Sequence, residues 1–295
     1  MRIGILTART ADYYPNRRLL EAADKLGQRL CLIHPKDCLS GISHEGLEVG
    51  GLSGDQEIGV LLPRIGATIN DYALTLVHHF ECTGLPVVNG FHAILLARNK
   101  FLTLQTLAHK GLPVPRTFFA SNIENFRKAV EKLGGYPVVA KTPNSRQGSG
   151  VVLVDSPITG DFIMHNLPNE RQGLLVQEFI GPGERTDLRA FVLGGEVVAA
   201  MELEPREGDF RSNIHLKGRG RAVILDRERR ELAVGASEAL NLEISGVDIV
   251  ATPGAPAKVM EVNYTPGFRG LEASTGLDVA SCMIRFVRRN YGGTP

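Results

Sequence analysis

Apolar positions in the first third of the chain fall into two rhythms. Arg2–Leu6 is a short apolar run that reads as a buried strand, whereas Asn16–Gln28 carries Leu19, Leu20, Ala23 and Leu26 at helical spacing. The alternation continues with a second strand over Arg29–His34 and a third over Gly59–Pro63. Asn70–Thr83 predicts a helix closed by Gly84, and Pro86–Val88 a further short strand. Strands alternating with helices imply a parallel sheet covered on both faces. A dinucleotide-binding unit starts the same way, but it needs G-x-G-x-x-G directly after the first strand. Leu6 is followed by Thr7-Ala8-Arg9-Thr10, with no glycine, so that function is excluded.

The rhythm then changes. Phe91–Lys110 predicts one long apolar helix closed by Gly111, and Pro113 and Pro115 mark a boundary. Ser121-Asn122-Ile123-Glu124 has capping-box spacing and opens a helix carrying Phe126, Ala129, Val130 and Leu133, which Gly134-Gly135 ends. Strands are expected over Pro137–Lys141, Val151–Asp155 and Gly173–Ile180. Leu188–Leu193 and Glu196–Leu203 surround the hairpin signal Gly194-Gly195. Asp226–Asn241 predicts a helix, two strands flank Pro253-Gly254, and Asp278–Asn290 forms a last amphipathic helix. Hairpins from Pro137 onward mean α+β there, against α/β at the N-terminus.

Composition matters for what it excludes. The chain has 295 residues, 43% hydrophobic and 22% charged, a globular mixture long enough for about two domains. Its 33 basic and 32 acidic residues leave a formal net charge of +1, which excludes a duplex-DNA binder working through bulk charge, and disorder with it. No apolar run nears the ~18 residues of a transmembrane helix, and the first residues lack the apolar core of a signal peptide. Cys31, Cys38, Cys82 and Cys282 form no C-x-x-C pair. The expectation is a cytoplasmic protein with reduced thiols and no membrane partner. Whether the 33 glycines are spread thinly or gathered where backbone meets a ligand is the next question.

Gln147-Gly148-Ser149-Gly150 lies between the strand ending at Lys141 and the one beginning at Val151. Glycines after a strand leave backbone N–H groups free to bind phosphate oxygens. A P-loop would place Lys-Ser or Lys-Thr after the glycines and then a helix, which this segment does not. It is either a flap that closes over phosphates or an ordinary hairpin loop. Lys141 shares a face with Val139 in an otherwise apolar strand, so its charge calls for a partner, a nucleotide phosphate or a structural carboxylate. In a hairpin centred on Gly254-Ala255, Asp248 falls opposite Glu261, and Asn263 shares the face of Glu261. Like charges directly opposite each other call for a cation. Two carboxylates and an amide, without His or Cys, suit Mg²⁺ or Mn²⁺ rather than Zn²⁺; a solvated strand face is the plain alternative.

Together, Lys141, the Gln147–Val151 flap, Gln177-Glu178-Phe179-Ile180, Asp248 and Glu261-Val262-Asn263 resemble the ATP-grasp superfamily. Further stretches are similar to its RimK type, the ligases that add glutamate to the C-terminus of ribosomal protein S6. They are Pro63-Arg64-Ile65-Gly66, Glu207-Gly208-Asp209-Phe210-Arg211-Ser212-Asn213, Gly246-Val247-Asp248-Ile249 and Thr275-Gly276-Leu277-Asp278. The resemblance covers essentially the whole chain. It implies a parallel α/β pre-ATP-grasp domain over 1–95, then a two-lobed α+β ATP-grasp fold with a central lobe over 96–180 and a C-terminal lobe over 181–295.

By that resemblance Lys100 and Lys141 touch the ATP phosphates, with Gln147, Gly148, Ser149 and Gly150 as the flap. Gln177, Glu178 and Phe179 sit at the adenine hinge. Asp187, Arg211, Ser212 and Asn213 line the nucleotide and γ-phosphate region, and Asp248, Glu261 and Asn263 hold two Mg²⁺ or Mn²⁺. The implied chemistry is carboxylate–amine ligation through an acyl phosphate, with Arg211 as the catalytic candidate for stabilising anionic transition states. Arg64 and Arg189 either bind substrate carboxylates or form structural ion pairs. The implied partners are glutamate or a similar amino acid and a carboxylate acceptor, such as a protein or peptide C-terminus, in a homo-oligomeric dimer or tetramer. A small metabolite or glutamyl cofactor as acceptor, or a nucleotide-binding regulator without turnover, are the alternatives. Ala199-Ala200-Met201-Glu202-Leu203-Glu204 departs from the RimK pattern, which has basic residues where Leu203-Glu204 stands.

Overall fold

A computed structural model describes residues 2–50, 58–66, 70–144, 150–166, 173–181, 183, 185–204 and 219–292. The first elements are β1 (Arg2–Leu6), α1 (Tyr14–Lys25), β2 (Arg29–Ile33), the antiparallel hairpin β3 (Leu39–Ser43) and β4 (Gly46–Gly50), β5 (Val60–Pro63) and α2 (Asp71–Cys82). β2, β1 and β5 form the expected parallel sheet in that spatial order. Pro86–Val88 is not a strand; it contributes a single parallel bridge, Val87 to Leu61. The β3–β4 hairpin is invisible in the sequence because Leu39 and Ile42 point into solvent, so no apolar alternation marks it.

The long helix expected over Phe91–Lys110 is two helices, α3 (Phe91–Ala97) and α4 (Lys100–His109). The Asn99 side chain accepts hydrogen bonds from the backbone N–H groups of Phe101 and Leu102, at 2.9 and 3.1 Å. A cap of this kind starts a new helix and overrides the continuous apolar pattern. It also sets Lys100 at the first turn of α4.

Next come β6 (Thr117–Ala120), α5 (Ile123–Leu133), β7 (Val138–Lys141), β8 (Val151–Val154), α6 (Pro157–Asn166) and β9 (Leu174–Glu178). The cap of α5 is Asn122, accepting from the N–H of Asn125, one residue later than the capping-box pattern places it. The four strands form an antiparallel sheet ordered β6-β9-β7-β8, with its own core of Phe126, Val138, Val154, Leu174 and Val176.

The remaining elements are β10 (Thr186–Leu193), β11 (Glu196–Glu204), β12 (Arg219–Ala222), α7 (Arg227–Ala239), β13 (Ile244–Ala251), β14 (Lys258–Asn263), α8 (Arg269–Thr275) and α9 (Val279–Tyr291). Their strands form one antiparallel sheet, β12-β11-β10-β13-β14. Gly194 and Gly195, with φ of 59° and 80°, turn β10 into β11, a conformation that excludes most side chains. This sheet shares its cores with the N-terminal unit: Leu6, Leu61 and Phe80 cluster with Leu188, Val247 and Val262, and Ile3, Ile5 and Leu19 with Phe191 and Ile284. Asn89 pins the same seam. Its amide donates to the carbonyls of Ile244 and Tyr264 and accepts from the N–H groups of Glu243 and Ile244. Among the described residues no helix is long and apolar enough to cross a membrane, and the four cysteines are free.

Candidate functional site

Strand register builds the centre of the site. Asp248 on β13 faces Glu261 on β14, and Gly246 faces Asn263, as the hairpin centred on Gly254-Ala255 requires. Past Asp248 a bulge shifts the register to Ile249 opposite Val259, leaving Met260 as the extra residue. On its other side β13 pairs with β10, which sets Arg189 directly across from Asp248. The guanidinium grips the carboxylate with two bonds, Nε to Oδ1 at 2.6 Å and Nη2 to Oδ2 at 2.7 Å. Lys100 reaches Glu261 from the first turn of α4, with Nζ 2.9 Å from Oε1. The cations balancing the facing carboxylates are thus Arg189 and Lys100. Of the two roles open to Arg189, the ion pair is the one observed.

Lys141 closes the cluster from the neighbouring sheet. Its ammonium donates to Gln177 Oε1 at 2.5 Å, and Gln177 Nε2 donates to Thr117 Oγ1 at 2.8 Å. Gln177 is 1% exposed, so it is a fixed strut behind Lys141. Burial, then the charges of Lys100 and Arg185, push the Lys141 ammonium down to about 8, with Glu261 pulling the other way. Burial also raises the Glu261 carboxyl, but the charge and hydrogen bond of Lys100, with Lys141 and Arg189, outweigh it and hold the group below the usual range. Burial opposes the charge of Arg189, yet Asp248 and Glu261 raise its pKa.

The hinge between the second and third sheets carries two more ion pairs. Glu178, at the end of β9, accepts from the N–H of Arg116 at 3.0 Å and from Lys258 Nζ on β14 at 2.5 Å. Phe179 follows it directly. Asp187 on β10 pairs with Arg185, Nε to Oδ2 at 3.0 Å, and Arg185 also donates to the carbonyl of Ile180. Gly150 has φ of +66° and its carbonyl accepts from the N–H of Thr142 at 3.0 Å, so its place in the β7–β8 connection requires glycine. Gln147, Gly148, Ser149, Arg211, Ser212 and Asn213 lie outside the described residues.

Arg64 is set apart from all of these. It follows β5, is 8% exposed, and donates from Nη2 to the carbonyl of Pro266 at 2.7 Å. Among the described residues no carboxylate pairs with it, so the structural ion pair considered for it is absent. Sequence reasoning passes over Thr117, Arg116, Arg185, Lys258 and Thr265. Arg185 carries a faint signal, two residues from Asp187 and so on the same strand face. Thr117 and Arg116 meet Gln177 and Glu178 across the β6–β9 pair, and Lys258 reaches Glu178 from the neighbouring sheet.

The donor set fits a hard divalent cation. Asp248, Glu261 and Asn263 offer oxygen ligands, the two carboxylates face each other, and among the described residues no His or Cys joins them. Among the described residues no cluster of three or more His, Cys, Asp or Glu side chains forms a metal site, so the set here is two carboxylates and an amide.

A family profile described as the RimK PreATP-grasp domain matches residues 1–94, and one described as the RimK-like ATP-grasp domain matches residues 97–287. A relative in Teredinibacter turnerae, named a probable alpha-L-glutamate ligase, is 39% identical over 98% of this chain and 96% of its own length. A relative of the same name in Parasynechococcus marenigrum is 37% identical over 99% of the chain, which spans 63% of that longer protein. Among solved structures, the RimK domain ATP-grasp protein of Sphaerobacter thermophilus superposes with a TM-score of 0.73 at 24% identity. That alignment covers 97% of this chain and 99% of the other, and it speaks for the fold.

Proposed function

The chain belongs to the RimK-like ATP-grasp family and is an ATP-dependent ligase that forms C–N bonds, and we propose that it joins glutamate, or a similar amino acid, to the C-terminal carboxylate of a protein or peptide. The observation that carries this reading is the confluence of Lys100, Lys141 and Arg189 on the facing pair Asp248 and Glu261. Phosphoryl transfer asks for little covalent help from protein and much charge neutralisation, which such a cluster supplies.

In the first step an acceptor carboxylate oxygen attacks the γ-phosphorus of ATP, the bond to the β-phosphate oxygen breaks, and ADP leaves. The amine of the incoming amino acid then attacks the acyl carbon, an amide forms, phosphate departs and the ammonium proton is lost. Lys141, braced by Gln177, and Lys100 hold phosphate oxygens. Asp248, Glu261 and Asn263 would hold two Mg²⁺ or Mn²⁺, which when bound neutralise phosphate charge. Glu178 and Phe179 border the adenine side, while Asp187 positions Arg185 beside it. Gln147, Gly148, Ser149 and Gly150 would form the phosphate flap, and Arg211, Ser212 and Asn213 would serve the γ-phosphate, Arg211 as stabiliser of the anionic transition states. A cytoplasmic homo-oligomer belongs to the same reading.

The test is ADP release in the presence of Mg²⁺ or Mn²⁺, screened over amino acids together with carboxylate acceptors. Release that requires both, with L-glutamate and a peptide bearing a free C-terminus preferred, is the expected outcome. ATP binding without acceptor-dependent ADP release in any mixture sinks it and favours a nucleotide-binding regulator. Preference for a small metabolite over every peptide would replace the acceptor class.

A further inference from the structure

Arg64 and Thr265 stand out because the other buried polar side chains described at the seam, Asn89 among them, are satisfied. Arg64 leaves the carboxyl end of β5, the edge at which open α/β sheets bind ligands. Its side chain crosses to the loop after β14, where Nη2 meets the carbonyl of Pro266 and the guanidinium carbon lies 5.8 Å from the centre of the Phe268 ring. A guanidinium has five N–H donors, and among the described residues this one spends a single hydrogen bond. Its Nε is enclosed and has no partner. On the facing loop the Thr265 hydroxyl is enclosed and has no partner either. These are the two unpartnered buried side-chain polar atoms among the described residues.

The two loops are in contact. Tyr264 donates its hydroxyl to the carbonyl of Gly66 at 3.4 Å, and a Cβ on Gly66 would come within 3.3 Å of the Thr265 Cβ. A buried cation and a buried hydroxyl left without partners are both costly, and a carboxylate answers both, since it accepts from guanidinium N–H and from a hydroxyl alike. Burial lowers the Arg64 pKa to about 10, which leaves it cationic at neutral pH.

We propose that Arg64 and Thr265 form the receptor for the α-carboxylate of the incoming amino acid, the carboxylate that takes no part in bond making. The inference rests on the ligase reading above. Thr265 is two residues beyond Asn263, a reach of at most ~7 Å along the chain. An amino acid held there by its carboxylate lies within reach of the strand that carries Glu261 and Asn263. A buried site built to hold a charged group rejects an analogue lacking it, because its own donors are then left unpaired.

The test is calorimetric titration of the full-length protein, loaded with Mg²⁺ and ADP, with L-glutamate, its α-carboxamide L-isoglutamine, and L-glutamine. L-Isoglutamine should bind roughly 10- to 100-fold more weakly than L-glutamate, the range expected for lost hydrogen bonds to a charged group. L-Glutamine, which keeps the α-carboxylate, should remain sensitive to Arg64. Arg64→Met should weaken L-glutamate by the same factor and abolish its advantage over L-isoglutamine, with ADP binding unchanged. Thr265→Val, nearly isosteric, should shrink that advantage several-fold and covers the case in which the Arg64 variant does not fold. The proposal is overturned if either folded variant keeps the full discrimination, or if L-glutamate fails to bind while ADP binds. Failure of the intact protein to bind ADP would instead bring down the ligase reading itself.

Discussion

Two corners of one seam treat buried charge in opposite ways. At the β10–β13–β14 corner Arg189 grips both oxygens of Asp248, and Lys100 takes Glu261. At the neighbouring corner Thr265, four residues past Glu261, faces Arg64 from the end of β5, and each keeps an enclosed atom without a partner. The first corner is electrostatically complete, and its chemistry consists of exchanging partners it already has. The second is incomplete until something else supplies an acceptor. Stability therefore resides at the first corner, and recognition at the second.

The largest effect should come from removing a charge at the complete corner. Asp248→Asn keeps the shape and a hydrogen-bond acceptor for Arg189, so the protein should fold while acceptor-dependent ADP release falls at least ~100-fold. Retained turnover would show that the facing carboxylates are structural. Next comes Asn89→Ala, which deletes four hydrogen bonds from a residue 3% exposed. It should cost roughly 3 kcal/mol in urea unfolding, since several buried backbone groups lose their partner; a loss under about 1 kcal/mol would mean water replaces them.

A smaller, pH-dependent effect belongs to Lys141. Its pKa is pushed down to about 8 from an ordinary 10.5. Between those values the folded protein holds fewer protons than the unfolded chain, so stability should rise with pH across that window. The penalty is fully present below about 8 and is relieved as the pH climbs. Phosphate beside the ammonium favours its charged form. ATP binding near the upper edge of neutrality should therefore take up a fraction of a proton, measurable by calorimetry in buffers of different ionisation enthalpy. Lys141→Arg, always charged, should abolish that uptake. The smallest effect sharpens the contrast most: Thr265→Val removes a hydroxyl with no partner, so stability should stay level or rise by up to about 1 kcal/mol. Marked destabilisation would mean the hydroxyl already has a partner, and the two corners would then be alike.

Much of the site is legible in the sequence. Period two and a short turn are enough to bring Asp248 opposite Glu261 and Asn263 onto the face of Glu261. The position of Lys141 in an apolar strand is equally readable. The broken helix is not: an unbroken apolar run over Phe91–Lys110 hides the Asn99 cap that delivers Lys100 to Glu261. Nor does the alternation reveal the β3–β4 hairpin, whose apolar side chains Leu39 and Ile42 face outward.

Local order along the chain thus decides most of the elements, which face each side chain takes within its own hairpin, and which residues are candidates for phosphate chemistry. Those are matters of spacing, and spacing is written in the sequence. The partners of the charges are decided elsewhere. Glu178 meets Lys258, Arg189 meets Asp248 across a strand pair far apart in sequence, and Arg64 meets Pro266 rather than a carboxylate. Whether a buried cation is paired or left open depends on which loops the packed sheets bring together, and no local pattern records that.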